Sequence, residues 1–412
     1  MMRFSLISVF CFFLFAATAQ EITLSSPKIE AMFLEQNLEL IAGQMDISIA
    51  DAAVAEAKVW DNPEFSINDI NIWSAGREKQ FSVELTQMVS LTARRVKLAN
   101  VEKIAKEIAV KQFEELLRGL KMELRGSIAE LVYLQNFLEL IEKQRKFLDE
   151  VIAGYQIQYE KGNVARSELI RLQTEFFSVE SEINDMQTEL NALQKTLKNL
   201  IAVEPSVVIV VLDDKNNLPS PLSINPNELI ATALVSRPDL QSATLQCEYH
   251  KKDIIYQRSL AIPDVSFAIQ YDRYGGVWDN FFGIGVGMQL PVFNRNKGAI
   301  KTAKIQLKQS ELLVEQNRKT LQNEIIESYR NYSNTYTFLE RNLKNPALNE
   351  LDDMLEVYAK NLVERNISMV EYMDFMSSYR SAKEMLLKNQ KELRLQFEQL
   401  QFSVGKDIVS NL

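Results

Sequence analysis

The chain is poor in the residues that carry most enzyme chemistry. Its 412 residues include one histidine, His250, and two cysteines, Cys11 and Cys247. Neither a glycine-rich phosphate loop nor a Ser/His/Asp set occurs, so nucleophilic and metal-hydrolytic catalysis lack their parts and no enzyme is expected. A disulfide framework is excluded as well, because Cys11 lies in a segment expected to be removed and Cys247 is then alone. The formal charge is −9 and no basic block stands out, which argues against a nucleic-acid partner. Beyond residue 19 no apolar run approaches the roughly 20 residues that a membrane helix needs. Proline is missing from the whole stretch between Pro63 and Pro205.

The first residues read as an export signal. Arg3 precedes an apolar run from Leu6 to Ala17, and Ala17-Thr18-Ala19 before Gln20 has the small-x-small form of a cleavage site. Residues 1–19 are therefore expected to be a signal peptide. Cys11 sits inside the apolar run behind Phe10, where a lipid-anchor site would have a small residue, so no lipid anchor is expected.

The remaining chain repeats itself. At a shift of 200, the stretch Trp60 to Ile67 falls on Leu260 to Phe267, with Pro63 on Pro263 and Ser66 on Ser266. At 202, Leu85–Arg95 falls on Gly287–Lys297, and at 203, Tyr155–Val164 falls on Tyr358–Ile367. Two unrelated coiled coils would not reproduce a helix, a proline, two strands and two longer helices in one order, so duplication is inferred. The expected layout is repeat 1 over 20–204, with a strand pair at about 64–90; a linker over 205–225; and repeat 2 over 226–412, with a strand pair at about 264–292. The linker opens with a short strand-like run, Val207 to Val211, and continues into a Pro/Ser/Asn stretch.

Thr92 to about Ile152 is helical in composition, which at ~1.5 Å per residue would reach on the order of 90 Å. A turn at Gly162-Asn163 follows. The returning helix carries Leu169, Leu172, Phe176, Val179, Ile183, Met186, Leu190, Leu193, Leu197 and Leu200 at spacings of 3 and 4, the seam of a coiled coil. Leu117 to Leu148 supplies a looser matching seam, giving an antiparallel hairpin. The second copy is expected to break at Asn345-Pro346, where proline removes a hydrogen-bond donor.

Each repeat inserts two strands that are apolar on one side. Phe81, Val83 and Leu85 alternate with Ser82, Glu84 and Thr86. Val265, Phe267, Ile269 and Tyr271 alternate with Ser266, Ala268, Gln270 and Asp272, and Phe282, Ile284, Val286 and Met288 alternate with Gly283, Gly285 and Gly287. The strand from Phe65 to Trp73 is poorer, its phase slipping at Asn68-Asp69. A soluble sandwich would alternate in the same way, but rod-like helices offer no second sheet to cover the apolar side. At about 9 to 11 residues such strands cross a bilayer when tilted, with lipid on the apolar side and water on the other. Four strands cannot close a barrel and lipid does not tolerate open edges, so several copies of the chain must share one.

NPEFS at Asn62–Ser66, SRPDL at Ser236–Leu240, LPVFNRNKGAI at Leu290–Ile300 and YEKGNVARSEL at Tyr159–Leu169 together resemble the TolC family of outer-membrane efflux ducts, the third stretch looking most like its CzcC-like heavy-metal and cation branch. The resemblance implies a mainly α fold with a small membrane β part: a homotrimer with a twelve-stranded β-barrel, four strands per chain, continued by a periplasmic helical tunnel. It also implies outer-membrane lipid around the barrel, and as partners a periplasmic adaptor and an inner-membrane pump, for which this chain is the passive exit. Departures are the missing lipid-anchor cysteine of many relatives and the presence of Pro346. The rivals are a periplasmic coiled-coil scaffold without a pore and a duct for protein secretion.

The same resemblance marks two sets of residues. Acidic residues matching the VEYMD stretch, Glu371 and Asp374, line the closed periplasmic entrance in the family, and carboxylate rings favour cations; the plain alternative is a solvated helix face. The hairpin turns, with Lys161, Gly162, Asn163 and Ser167 in one and Arg365, Asn366 and Ser368 in the other, become adaptor-docking tips rather than simple helix caps. Cys247 and His250 share a helix face, but two ligands make no structural metal site, and no cofactor is expected. Met369, Met373 and Met376 share another face, for which core filling is the plainer reading than contact with copper.

Overall fold

The computed structural model describes residues 21–71, 73, 79–212 and 218–408. The expected signal peptide, with Cys11, lies outside the described residues. The elements run β1 (Glu21–Leu24), α1 (Ser26–Gln36), α2 (Leu38–Glu56), β2 (Glu64–Asn71), β3 (Gln80–Val89), α3 (Arg94–Glu160), α4 (Arg166–Ile201), β4 (Val208–Val211), α5 (Pro226–Ser236), α6 (Pro238–Leu260), β5 (Val265–Arg273), β6 (Asn280–Met288), α7 (Lys297–Leu343), α8 (Pro346–Val363) and α9 (Met369–Val404). Most of the chain is helical, and α3 alone has 67 residues, a contour of about 100 Å at ~1.5 Å per residue. It outruns the sequence expectation by eight residues because nothing between Ile152 and Glu160 breaks a helix.

Two compact groups form, and each draws on both halves of the sequence. The first takes the described residues up to Leu38, with those of Lys121–Leu218 and Asn334–Glu398. Its core joins Ile141, Leu148 and Val151 of α3, Leu172 and Val179 of α4, Leu355 and Leu362 of α8, and Tyr372 and Tyr379 of α9. Six of the ten seam residues of α4 are buried: Leu169, Leu172, Val179, Met186, Leu197 and Leu200. Each such side chain is worth roughly 1.5–3 kcal/mol, against at most ~1 kcal/mol for a surface ion pair, so packing of the seam holds the helices side by side. The break before α8 falls where Pro346 dictates, with Pro346 as its first residue.

In this group β1 pairs in parallel with β4, a pairing that residues 21–24 did not announce. Gln194, on the α4 seam side, is buried because its side-chain amide substitutes for a strand: Nε2 donates to the Ile209 carbonyl at 2.6 Å and Oε1 accepts from the Ile209 N–H at 3.0 Å. Asn37 separates α1 from α2, where one helix is expected. Its extended backbone ends α1, and its buried Nδ2 donates to the Leu200 carbonyl at 2.9 Å, satisfying the end of α4.

The second group takes Glu39–Leu120, Pro219–Ser333 and Gln399 onward. It contains a four-stranded antiparallel sheet in the order β2-β3-β5-β6. The strands have 8, 10, 9 and 9 residues, slightly shorter than expected. The bulge between Asn68 and Asn71 accounts for the slipped phase of β2, since an extra residue turns later side chains to the other face. Again one expected helix is two: Pro238 drives Arg237 out of helical geometry, with φ −67° and ψ 120°. The Arg237 guanidinium then donates to the Ser403 carbonyl at 3.2 Å, near the end of α9, as Asn37 does for α4. The two break residues are 200 apart and their acceptors 203 apart.

Candidate membrane face and hairpin tips

Cross-strand register decides which residues share a face of the sheet. One row joins Ile67, Val83, Tyr271 and Phe282; the next joins Phe65, Leu85, Ile269 and Ile284; Phe267 then pairs with Val286, and Val265 with both Val89 and Met288. All eleven residues expected on an apolar face lie on this one face, Phe81 opposite Arg273 included. The opposite face has Ser82 with Asp272, Glu84 with Gln270, Ala268 with Gly285 and Ser266 with Gly287. A Cβ on Gly287 would stand 2.6 Å from Ser266 Oγ, so a larger residue there has to turn the Ser266 hydroxyl aside.

The apolar face is open: Phe267, Ile269, Phe282, Ile284, Val286 and Met288 are all exposed, Ile284 at 86%. Soluble monomers rarely expose a contiguous apolar patch of this kind, which marks a contact with another protein or a membrane. Near the β5–β6 turn the face becomes aromatic, with Tyr271 between Phe81 (ring centroids 5.9 Å apart) and Phe282 (4.9 Å). Tyr271 Oη also donates to Asn280 Oδ1 at 2.7 Å, combining an apolar body with a polar tip as at a membrane interface. Phe281 departs from the alternation by lying on the polar face, opposite Asp272.

Helices α2, α3, α6 and α7 all join the sheet at one end, that of Glu64, Val89, Val265 and Met288, because each repeat enters and leaves its strand pair from a helix. Arg94, at the start of α3, ties this end together: it bonds the Asp264 carboxylate and donates to the Ile262 carbonyl at 2.6 Å.

The hairpin tips belong to the first group and share one design. At the end of α3, Asn163 N–H donates to Gln158 O and Gly162 N–H to Tyr159 O; at the end of α8, Asn366 N–H donates to Asn361 O and Arg365 N–H to Leu362 O. Both are Schellman caps, with Gly162 (φ 71°) and Arg365 (φ 64°) in the left-handed region. Lys161, Gly162, Asn163, Ser167, Arg365, Asn366 and Ser368 are all exposed. Ser167 is not a cap, since Ala165 takes that place.

Ser368 does cap its helix, and it does so with Glu371. The Ser368 N–H and Oγ donate to Glu371 Oε2 at 2.7 and 2.8 Å, and the Glu371 N–H donates to Ser368 Oγ at 3.2 Å, a capping box. The backbone N–H of Ser368, then its hydroxyl, hold the Glu371 carboxyl below its ordinary value. Glu371 thus has a structural use that its place in VEYMD did not reveal, although the Ser-x-x-Glu spacing was there to read. Asp374 is exposed one turn on. Beyond them, Asp352 accepts from Tyr379 Oη at 3.0 Å and Lys383 Nζ at 2.6 Å, linking α8 to α9, and Arg380 pairs with Glu182, linking α9 to α4. Burial pushes the Asp352 carboxyl up, but the Lys383 and Tyr379 bonds outweigh it and hold it low.

Met369 and Met376 are buried and Met373 packs against the same core, so the stripe fills space. Cys247 is buried and free, and burial lowers the His250 pKa. Among the described residues no cluster of three or more His, Cys, Asp or Glu could hold a metal ion, and no helix is long and apolar enough to cross a membrane.

Residues 229–361 match the family described as outer membrane efflux protein. No curated protein matches the chain. Among solved structures, CusC, described in terms of folding and transmembrane channel formation, is 16% identical with a TM-score of 0.73, covering 93% of this chain and 92% of that one. The CmeC outer membrane channel of Campylobacter jejuni is 14% identical with a TM-score of 0.76, covering 92% and 85%. The open state of the MtrE outer membrane channel of Neisseria gonorrhoeae is 14% identical with a TM-score of 0.71, covering 92% and 89%. At these identities the likeness is one of fold.

Proposed function

We propose that this chain is an outer membrane efflux protein of the TolC family and the passive exit duct of a tripartite pump, conducting small molecules or metal cations from periplasm to exterior; the match over residues 229–361 and the likeness of fold support this reading. The observation that carries this reading is the two-faced sheet. One face is a row of bare Ile, Val and Phe side chains, the other is polar or tiny apart from Phe281, and its two edges are unpaired among the described residues. Edges exposed to lipid must be satisfied, and three copies of four strands give a closed barrel of twelve. The periplasm then receives the helices, since α2, α3, α6 and α7 all join the sheet at one end.

Glu371 and Asp374 are the acidic pair at the entrance in this reading. Repeated three times they would favour cations, with Glu371 also fixing the first turn of α9. The two Schellman tips are the docking points for the adaptor, exposed and held rigid by matching caps. The helical part lies in the periplasm, and the heavy-metal branch suggested by LPVFNRNKGAI remains the narrower proposal for cargo.

The test is conductance of purified protein in a planar bilayer, with the mass of the complex measured in mild detergent. Discrete channel openings from a complex of three chains are expected. A detergent-free soluble monomer without conductance would favour the periplasmic scaffold instead.

A further inference from the structure

We infer that the surface where β6 passes into α7 is a binding face for anionic phospholipid headgroups; this rests on the membrane reading above. The segment between the two elements presents Leu290, Val292 and Phe293 to solvent, Phe293 completely so. These side chains wall one side of a cleft of about 660 Å³. Directly beyond them come Arg295, Lys297, Lys301 and Lys304, all exposed, with no acidic residue in the chain from Leu290 until Glu311. None of the four cations pairs with a carboxylate among the described residues, and the ion pairs within α7 begin only at Glu315 with Lys319.

Helix stability does not account for this arrangement. The first turn of α7 contains no acidic residue, and cations there oppose the helix dipole. In the first repeat Arg95, which matches Lys297 at the shift of 202, is used internally: it lies 3.6 Å over the Trp60 ring and donates to the Lys58 carbonyl at 2.7 Å, beside Arg94, which bonds Asp264. In the second repeat Lys297 stays exposed, and Arg295 is exposed with only its Nε donating to the Pro291 carbonyl at 3.3 Å. Lys301 and Lys304 stand next to the packed face of α7, where Ala303 and Ser310 are buried, so they project along its flank.

Apolar wedge followed at once by cations is the order met on passing from hydrocarbon to a phosphate layer. Lys297 to Lys304 spans about 10 Å of helix, comparable to the Debye length at physiological salt, so one charged surface can attract all four. Each cation near an anionic leaflet is worth about 1 kcal/mol, or roughly fivefold in binding, so removing three should weaken headgroup retention on the order of a hundredfold. A second copy of the chain seated on the same patch would have to bring carboxylates instead.

The experiment compares retained lipid by native mass spectrometry after exposure to micelles with equal phosphatidylglycerol and phosphatidylcholine. The wild-type complex is expected to keep phosphatidylglycerol in at least tenfold preference. The variant carrying Arg295→Gln, Lys297→Gln and Lys301→Gln should lose that preference while keeping conductance, and a control carrying Lys195→Gln and Lys388→Gln should keep both. Equal retention of the two lipids by the wild type, or undiminished preference in the triple variant, overturns the inference while leaving the channel reading standing. Loss of complex stability in the triple variant, equal in both lipids, would also overturn it by assigning the patch to a contact between copies. Absence of any conductance from the wild type would instead strike the membrane reading on which the inference rests.

Discussion

Replacing Ile284 by lysine separates hydrocarbon from water as the solvent of the apolar face. Ile284 is the midpoint of β6, pairs with Ile269, and is 86% exposed. If water covers that face, the change removes few packing contacts and should fall within about 0.5 kcal/mol of neutral. If lipid covers it, a lysine at mid-depth costs about 2–4 kcal/mol. Met288 provides the internal scale. Four residues further on, at ~3.3 Å per residue and a tilt of ~45°, it lies some 9 Å nearer the interface, where the cost falls to about 0–1 kcal/mol. Gln270, on the opposite face beside Gly283, should accept lysine at little cost. The assay is urea unfolding of protein refolded into phosphatidylcholine vesicles, followed by tryptophan fluorescence. Equal effects of Ile284→Lys and Met288→Lys, or a neutral Ile284→Lys with a costly Gln270→Lys, would refute the assignment of the faces.

Three further outcomes follow from the helical parts. Arg237→Ala strips Asp239 (2.5 Å), Glu324 (2.5 Å) and the Ser403 carbonyl of a buried partner. Because both carboxylates are partly exposed, the loss should be about 2–3 kcal/mol in denaturant titration rather than the larger cost of a fully buried pair. Gly405→Ala should be harmful at the same clasp, since its φ is 76° and a Cβ would stand 2.8 Å from Arg237 Cγ; unchanged stability in either variant would contradict the clasp. At the tips, Arg365→Gly should stabilise the second hairpin by about 1 kcal/mol and Gly162→Ala should weaken the first by a similar amount, read as opposite changes in local amide exchange. The lowered pKa of Glu371 means its contribution is complete above its ordinary value of 4.5 and is lost as pH falls through the lower folded value. Amide exchange in the first turn of α9 should therefore show no Glu371-dependent change between pH 5 and 8, and Glu371→Gln should weaken that turn throughout this range.

The parts of the fold legible in the sequence are those set by periodicity. The leucine seam of α4 and the two-residue alternation of β3, β5 and β6 stand in the chain as patterns, and the observed faces follow them. Pro346 marks a helix boundary because proline acts locally. What escaped reading depends on partners distant in sequence. The break at Asn37 has no proline behind it; its signal is an acceptor at Leu200, and only the 200-residue echo at Arg237 could have pointed to it. The pairing of β1 with β4 and the burial of Gln194 have the same origin, since a glutamine on a helix looks solvated until a strand's free backbone is laid against it. At the candidate site, Gly162 was readable as a left-handed position, whereas Arg365 was not, because arginine adopts that geometry only when the cap around it compels it. The use of Glu371 as a capping residue was readable from Ser368 and its spacing, a closer explanation than either an entrance charge or a plain solvated face.

The central claim is that one side of the sheet meets hydrocarbon and the other meets water, and a spin-label scan of β6 tests it most directly. In a Cys247→Ser background, which removes the buried free thiol, single cysteines from Phe282 to Met288 are labelled and their collision rates with oxygen and with a water-soluble nickel chelate are compared in vesicles. The account predicts strict alternation, with oxygen favoured at Phe282, Ile284, Val286 and Met288 and the chelate favoured at Gly283, Gly285 and Gly287. Uniform access to the chelate along the strand, or alternation of the opposite phase, would contradict it.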